Sequence, residues 1–261
     1  MGADLDVDAA LRTANAAADA SRRIILRGYA RRFETGTLDV QLKEDATPVT
    51  EVDRAAERAI REVIRSAFPD HAILGEEYGG ETVPGYSWLV DPIDGTVSFI
   101  HHIPMFATLI ALCNGSEPVV SVVDLPMLSQ RFHAVAGHGS WEGTRRLQVT
   151  PGFEPRRSMV CHGDPYQFRA AGRMELYAQL ERRITFYRSY TDALGHCLVA
   201  DGSAALMVDP DLHAWDVAAP SLIVREAGGQ VEFQPDPGTG LVTMISGSRE
   251  AVAWLRPLIR G

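Results

Sequence analysis

At 261 residues, with 46% hydrophobic, 23% charged and 8% aromatic side chains, the chain has ordinary globular composition, enough for one large unit or two closely packed lobes. Intrinsic disorder and a disulfide scaffold fall away, and no apolar run approaches the ~20 residues that span a bilayer. The formal charge of −9, from 25 basic against 34 acidic residues, argues against a nucleic-acid polymer as partner, because such binding needs cations to neutralise phosphates.

The N-terminus, MGADLDVDAALRT, is acidic where a secretory leader would be basic and then apolar, so a cytoplasmic location with no membrane partner is expected. A first helix is predicted from about Val7 to Ala30, where Val7, Leu11, Ala14, Ala18, Ile25 and Leu26 recur at helical spacing. In the short region from Leu38 to Val49, Pro48 makes Thr47 extended. A second helix is predicted from Glu51 to Ala67, with Val52, Ala56, Ala59, Ile60, Val63 and Ile64 facing inward. The period then changes. Ala72 to Leu74 and Trp88 to Val90 read as buried strands that deliver carboxylates at their C-terminal ends, Glu76-Glu77 after the first and Asp91 after the second.

Further strands are read at Met105 to Leu112, Val119 to Val123 and Arg131 to Val135. The composition turns polar and basic from Gly143 to Pro155, which divides the chain into an N-terminal lobe, 1–148, and a C-terminal lobe, 149–261. The second lobe alternates: strand Met159 to His162, helix Gln167 to Arg183, strand Ile184 to Tyr187, helix Asp192 to Asp201, strand Ala204 to Val208. A last helix runs from near Trp215-Asp216 to Gly228-Gly229. Such alternation implies a layered α/β architecture. Cys113, Cys161 and Cys197 are odd in number and widely separated, and read as reduced core thiols.

The acidic residues carry the chemistry. Asp91 and Asp94 bracket Pro92-Ile93, directly after an apolar strand. Two buried carboxylates that close repel each other and incur a desolvation penalty unless a cation joins them. From Ala72 to Ser129 there is no Lys or Arg, so the partner is a distant side chain or, more simply, a divalent metal. All the donors are oxygens, which suits Mg²⁺ or Mn²⁺ better than Zn²⁺. Gly95 permits a sharp turn whose following N–H groups can face a phosphate, and Thr96 adds a hydroxyl that can orient a water. Asp216, before an apolar run, reads equally as a plain helix N-cap.

The ordered set GEEYG (75–79), WLVDPIDGTVSF (88–99) and WDVAAPSLIVREAGG (215–229), preceded by KEDATPVTEVD (43–53), resembles the inositol monophosphatase family of Mg²⁺-dependent phosphomonoesterases over nearly the whole chain. The resemblance implies a layered α-β-α-β-α sandwich of the inositol monophosphatase and fructose-1,6-bisphosphatase type, commonly homodimeric and lithium-sensitive. It implies two to three Mg²⁺ per site, with Mn²⁺ able to substitute. Glu76, Asp91 and the Ile93 carbonyl would hold the first, Asp91, Asp94 and Asp216 the second, and Glu76 with Asp53 a weaker third. Glu76 and Thr96 would position and activate the attacking water, with Asp53 beside them, and Gly95 and Thr96 would contact the phosphate. Lys43 would be a long-range charge near the entry segment, with an ordinary solvated lysine the equal alternative, and the polar, Gly- and Pro-containing composition of Thr35 to Thr50 reads as a flap that orders with metal.

The substrate is then a small phosphorylated metabolite. Asp192, within RSYTDALGHCLVADG (188–202), matches an aspartate of the histidinol-phosphate phosphatase branch, and Arg188 and MFATLIAL (105–112) also look closer to it. An extra carboxylate suits an amine or imidazolium, which a neutral polyol lacks. Asp209 stands where the family often carries a substrate-contacting glutamate, one methylene longer. Val97 stands where many relatives carry a polar or basic residue, and His101-His102 replace the basic-glycine pair of that branch; His101, His102, His162 and His196 read as incidental loop and core residues or as an unusual pocket. The alternatives are an inositol-1-phosphate or other sugar or nucleotide phosphate substrate, or a catalytically silent metabolite-binding relative.

Overall fold

The computed structural model describes residues 5–35, 40–42, 48–189 and 192–259. The first helical pattern becomes α1 (Val7–Thr35), longer than expected, with Ala14, Ala18 and Ile25 buried but Leu26 exposed. A short antiparallel pair, β1 (Val40–Leu42) and β2 (Pro48–Thr50), leads into α2 (Glu51–Ala67), whose bounds are those predicted. The expectations for Lys43, Thr47 and most of the flap lie outside the described residues. Helix α2 begins where it does because the Thr50 side chain accepts from the Val52 and Asp53 amides while Asp53 reaches back to the Thr50 amide, a reciprocal capping box.

The next strands are β3 (Ala72–Gly75) and β4 (Tyr86–Asp94), followed by a helix the sequence reading missed, α3 (Thr96–Ile100). Then come β5 (Ala107–Asn114), β6 (Glu117–Leu125), β7 (Gln130–Val135) and the unpredicted β8 (Gly139–Glu142) and β9 (Arg145–Arg146). They form one seven-stranded sheet in sequential order, antiparallel except for the β3–β4 pair. Side-chain alternation sorts it into two faces. Trp88, Val90, Ile110, Leu112, Val120 and Val122 pack on Ala14 and Ala18 of α1 and Ile60 and Ile64 of α2. Leu89, Leu109, Ala111 and Val123 face the opposite way.

The remaining elements are β10 (Met159–His162), α4 (Pro165–Ala170), α5 (Met174–Arg183), β11 (Phe186–Arg188), α6 (Asp192–Ala200), β12 (Leu206–Leu212), α7 (Ala214–Glu226), β13 (Gln230–Pro235), β14 (Val242–Gly247) and α8 (Arg249–Ile259). The single helix expected from Gln167 to Arg183 is two. Asp164 and Pro165 start α4 early, with Gln167 closing the cap, and Gly172 at φ +73° ends it while the Arg173 amide reaches the Phe168 carbonyl. The expected strand at Ile184 starts later, because the Ile184 amide still bonds to the Leu180 carbonyl.

The second sheet, ordered β11-β10-β12-β14-β13, is parallel on one side and closes with an antiparallel β13–β14 hairpin. Helices α6 and α7 lie between the two sheets, where Cys161, Cys197, Met207, Ala219 and Ile223 meet the second face of the first sheet. On the far side, Val160, Leu206 and Val208 pack against α4, α5 and α8. The layers are α-β-α-β-α. Cys113, Cys161 and Cys197 are buried in the central layer and form no disulfide with one another, as expected. Among the described residues, no helix is long and apolar enough to cross a membrane.

Candidate active site

Residues three apart on a regular strand point to opposite faces, so Asp91 and Asp94 should diverge. They do not, because β4 carries an extra residue there. Asp91 is opposite Leu109 and Asp94 opposite Ala107, so three steps on β4 match two on β5. This bulge returns Asp94 to the face occupied by Leu109 and Ala107, toward α7. Asp216, in the first turn of α7, completes the group: one carboxylate oxygen from each of Asp91, Asp94 and Asp216 lies within 4.8 Å of the others.

Each carboxylate has one oxygen fixed by a main-chain amide. Asp91 accepts from the Ile93 amide at 2.9 Å, Asp94 from the Ala193 amide at 2.8 Å, and Asp216 from the His213 amide at 2.7 Å. The N-cap is therefore His213 and not Asp216, which caps the helix from its first turn and is also a member of the acidic group. Only one oxygen of each is held this way, which leaves coordination capacity on the other. Glu76 joins the group electrostatically and through a side-chain hydrogen bond with Asp91.

The charge state shows how strained this arrangement is. Burial, and then the charges of Glu76, Asp94 and Asp216, push Asp91 well above the ordinary carboxylate range. Burial and the carboxylates of Asp94 and Glu76 do the same to Asp216, against the His213 amide. Asp94 is pushed up to about 7, mainly by burial with Asp209 and Glu76 adding repulsion. Asp53, fully buried, is raised to about 6 by desolvation despite its bonds from Thr50. A cage of oxygens that resists ionisation unless positive charge enters fits a hard divalent cation.

Around this cage, Gly95 turns at φ +84°, and a Cβ there would approach Asp192 Oδ2 to 2.9 Å and the Met105 carbonyl to 3.2 Å. Glycine is required on both counts. The Thr96 hydroxyl lies 3.0 Å from the Ile93 carbonyl and 3.4 Å from Asp53 Oδ1. It has one proton for these two acceptors.

The structure therefore gathers Asp53, Glu76, Asp91, Ile93, Asp94, Gly95, Thr96 and Asp216. Asp192 lies beside Gly95, and its carboxyl is raised well above the ordinary range by burial and by Asp94, Asp209, Asp164 and Asp216. Asp209, buried on β12, has His196 Nε2 at 3.5 Å from one oxygen and Gln167 Nε2 at 3.4 Å from the other. Arg188 is placed differently: it is exposed at the end of the edge strand β11, and its guanidinium donates to the Tyr187 carbonyl. His162 and His196 are core residues, and His101 is an exposed loop residue. Glu57 and Arg61, buried on α2 one and two turns beyond Asp53, are not among the residues expected from the sequence. Charges at i, i+4 and i+8 on an otherwise apolar face were the available signal.

A model of the inositol monophosphatase family matches residues 6–259. A histidinol-phosphatase of Mycobacterium tuberculosis is 38% identical over 208 residues, 77% of this chain and 80% of its own. An inositol-1-monophosphatase of Rhizobium meliloti is 37% identical over 211 residues, 78% and 79% of the two chains. Among solved structures, the extragenic suppressor protein SuhB of Bartonella henselae superimposes with a TM-score of 0.87 at 29% identity, covering 97% of this chain and 98% of that one.

Proposed function

The chain belongs to the inositol monophosphatase family, metal-dependent phosphoric monoester hydrolases, and from that premise we propose that it uses Mg²⁺ to hydrolyse a small phosphate ester bearing a cationic group, with histidinol phosphate the best fit. Asp91, Asp94, Asp216, Glu76 and the Ile93 carbonyl would hold the metal. When bound, Mg²⁺ supplies Lewis acidity toward the phosphoryl oxygens and acidifies water at neutral pH.

The chain's own groups do the rest. Carbonyl engagement at Ile93 leaves Asp53 as the acceptor for the Thr96 hydroxyl proton. The Thr96 oxygen lone pairs then face outward to accept from the attacking water, and Glu76 fixes that water from the other side. Amides of the Gly95–Thr96 turn orient the phosphate, so that positioning and fixed dipoles provide the catalytic advantage. Asp216, near the leaving oxygen, serves to place the water that protonates it.

The substrate reading is carried by one observation: the Asp192 carboxylate sits against the Gly95 turn, with Asp209 and Asp164 adding negative potential. Among the described residues no Lys or Arg pairs with Asp192 or Asp209. Identities of 38% and 37% do not separate the two named activities, so the preference rests on the pocket's acidic groups. An amine or imidazolium on the substrate satisfies that charge; a neutral polyol does not. The test is phosphate release from histidinol phosphate, inositol 1-phosphate and AMP at saturating Mg²⁺. Histidinol phosphate should give the highest kcat/KM, and equal or better turnover of inositol 1-phosphate would overturn the preference.

A further inference from the structure

Glu76 lies in a six-residue turn, Gly75 to Gly80, that leaves β3 and is closed by the Gly75 amide on the Gly79 carbonyl at 3.0 Å. Two anchors bracket Glu76 itself. Its own amide donates to the Val90 carbonyl at 3.1 Å, one residue before Asp91. The next amide, of Glu77, donates to Glu57 Oε2 at 2.7 Å. Glu57 Oε1 accepts from the Tyr78 amide at 3.3 Å and from Arg61 Nε at 2.6 Å. Arg61 in turn donates to the Gly79 carbonyl at 2.5 Å.

This clamp is deep and tight. Glu57 is fully buried and Arg61 nearly so, and a Cβ on Gly75 would come within 2.2 Å of Glu57 Oε1. Asp53 precedes Glu57 by one helical turn, so a single rigid helix holds one carboxylate of the centre directly and reaches a second through the main chain.

We propose that Glu57, oriented by Arg61, is a positioning residue that sets Glu76 for cation binding by fastening the Gly75–Gly80 turn to α2. The inference rests on the Mg²⁺ reading above. A buried ion pair contributes little net stability compared with an apolar pair of the same volume, whereas supports behind metal ligands typically control affinity roughly 10–100-fold. Glu57→Gln keeps the shape but leaves one acceptor oxygen where three donors converge.

The experiment titrates Mg²⁺ alone into wild type, Glu57→Gln, Gly75→Ala and Ile64→Val, reading calorimetric Kd, the metal-induced rise in Tm, and kcat against the Mg²⁺ activation constant. Glu57→Gln should raise Kd roughly 10–100-fold and shrink the metal-induced Tm rise, with most of kcat recovered at saturating metal. Gly75→Ala displaces the Glu57 carboxylate without removing it and should act in the same direction; it carries the test if Glu57→Gln fails to fold. Ile64→Val trims the core of the same helix and should lower Tm with Kd unchanged. Wild-type affinity in a folded Glu57→Gln or Gly75→Ala protein would overturn the inference alone. Wild-type protein that takes up no Mg²⁺ would overturn the metal reading and this inference with it.

Discussion

Asp124 and Asp91 are buried carboxylates on the same seven-stranded sheet, and they are neutralised in opposite ways. Asp124, on β6, receives Arg22 through both oxygens at 2.9 Å and Arg131 Nε at 2.7 Å, with Arg131 also reaching Asp19. Asp91, on β4, is surrounded by Glu76, Asp94 and Asp216. The chain has arginines and uses them where a carboxylate only has to be buried. At the centre it accumulates like charge, which is disfavoured for stability alone and appropriate for receiving a dication.

The contrast breaks most sharply at the centre itself. Asp91→Asn or Asp94→Asn should remove several kcal/mol of transition-state stabilisation, lowering kcat about a thousandfold or more. Metal-free Tm should stay equal or rise, since a repelling charge is gone; near-normal turnover at saturating Mg²⁺ would contradict the assignment. At the other carboxylate, Asp124→Asn should cost about 3 kcal/mol in denaturant unfolding, because two guanidinium groups lose their partner. Its Mg²⁺ affinity should be unchanged.

A pH series sharpens the same contrast. Unfolded carboxylates titrate near 4, whereas folded Asp53 and Asp94 hold protons up to about 6 and about 7. Between those limits the native state binds more protons than the unfolded one, so metal-free stability is full below about pH 4 and falls as pH rises through 6 and 7. Saturating Mg²⁺ should flatten that fall, since metal binding requires the deprotonated forms. Identical Tm–pH slopes with and without metal would refute the linkage. The smallest effect is expected from Asp192→Asn, which removes charge while tolerating the φ of +42° at that residue. It should raise KM about tenfold for histidinol phosphate, as loss of a charge-assisted bond predicts, and leave inositol 1-phosphate unaffected. Equal changes for both would remove the proposed role.

Much of the centre was legible because its donors fall in short contiguous motifs: Asp91, Asp94, Gly95 and Thr96 within six residues, and Asp216 at a helix start. Helix α2 was legible because its inward apolar positions recur at helical spacing; the Thr50 cap that fixes its start is seen only in the structure. What escaped depended on distant contacts. Glu57 and Arg61 look like solvated helix surface until the turn that follows β3 is seen to hang from them. Gly172 resembles any tolerated helical glycine, yet its positive φ splits one expected helix into two. The β13–β14 hairpin is absent from the sequence expectations although Val231 and Phe233 alternate with polar residues.

The additional residue in β4 makes segment length, rather than side-chain identity, the constraint between Asp91 and Asp94. Deleting Pro92 or Ile93 would restore a regular ladder to β5 with Asp94 still on the face of Asp91, but would remove the kink that sets the Ile93 amide on Asp91 and the Ile93 carbonyl beside Thr96. Such a protein would retain every acidic residue of the constellation in its sequence and still be inert, so homologues should be compared by spacing here before they are compared by letter.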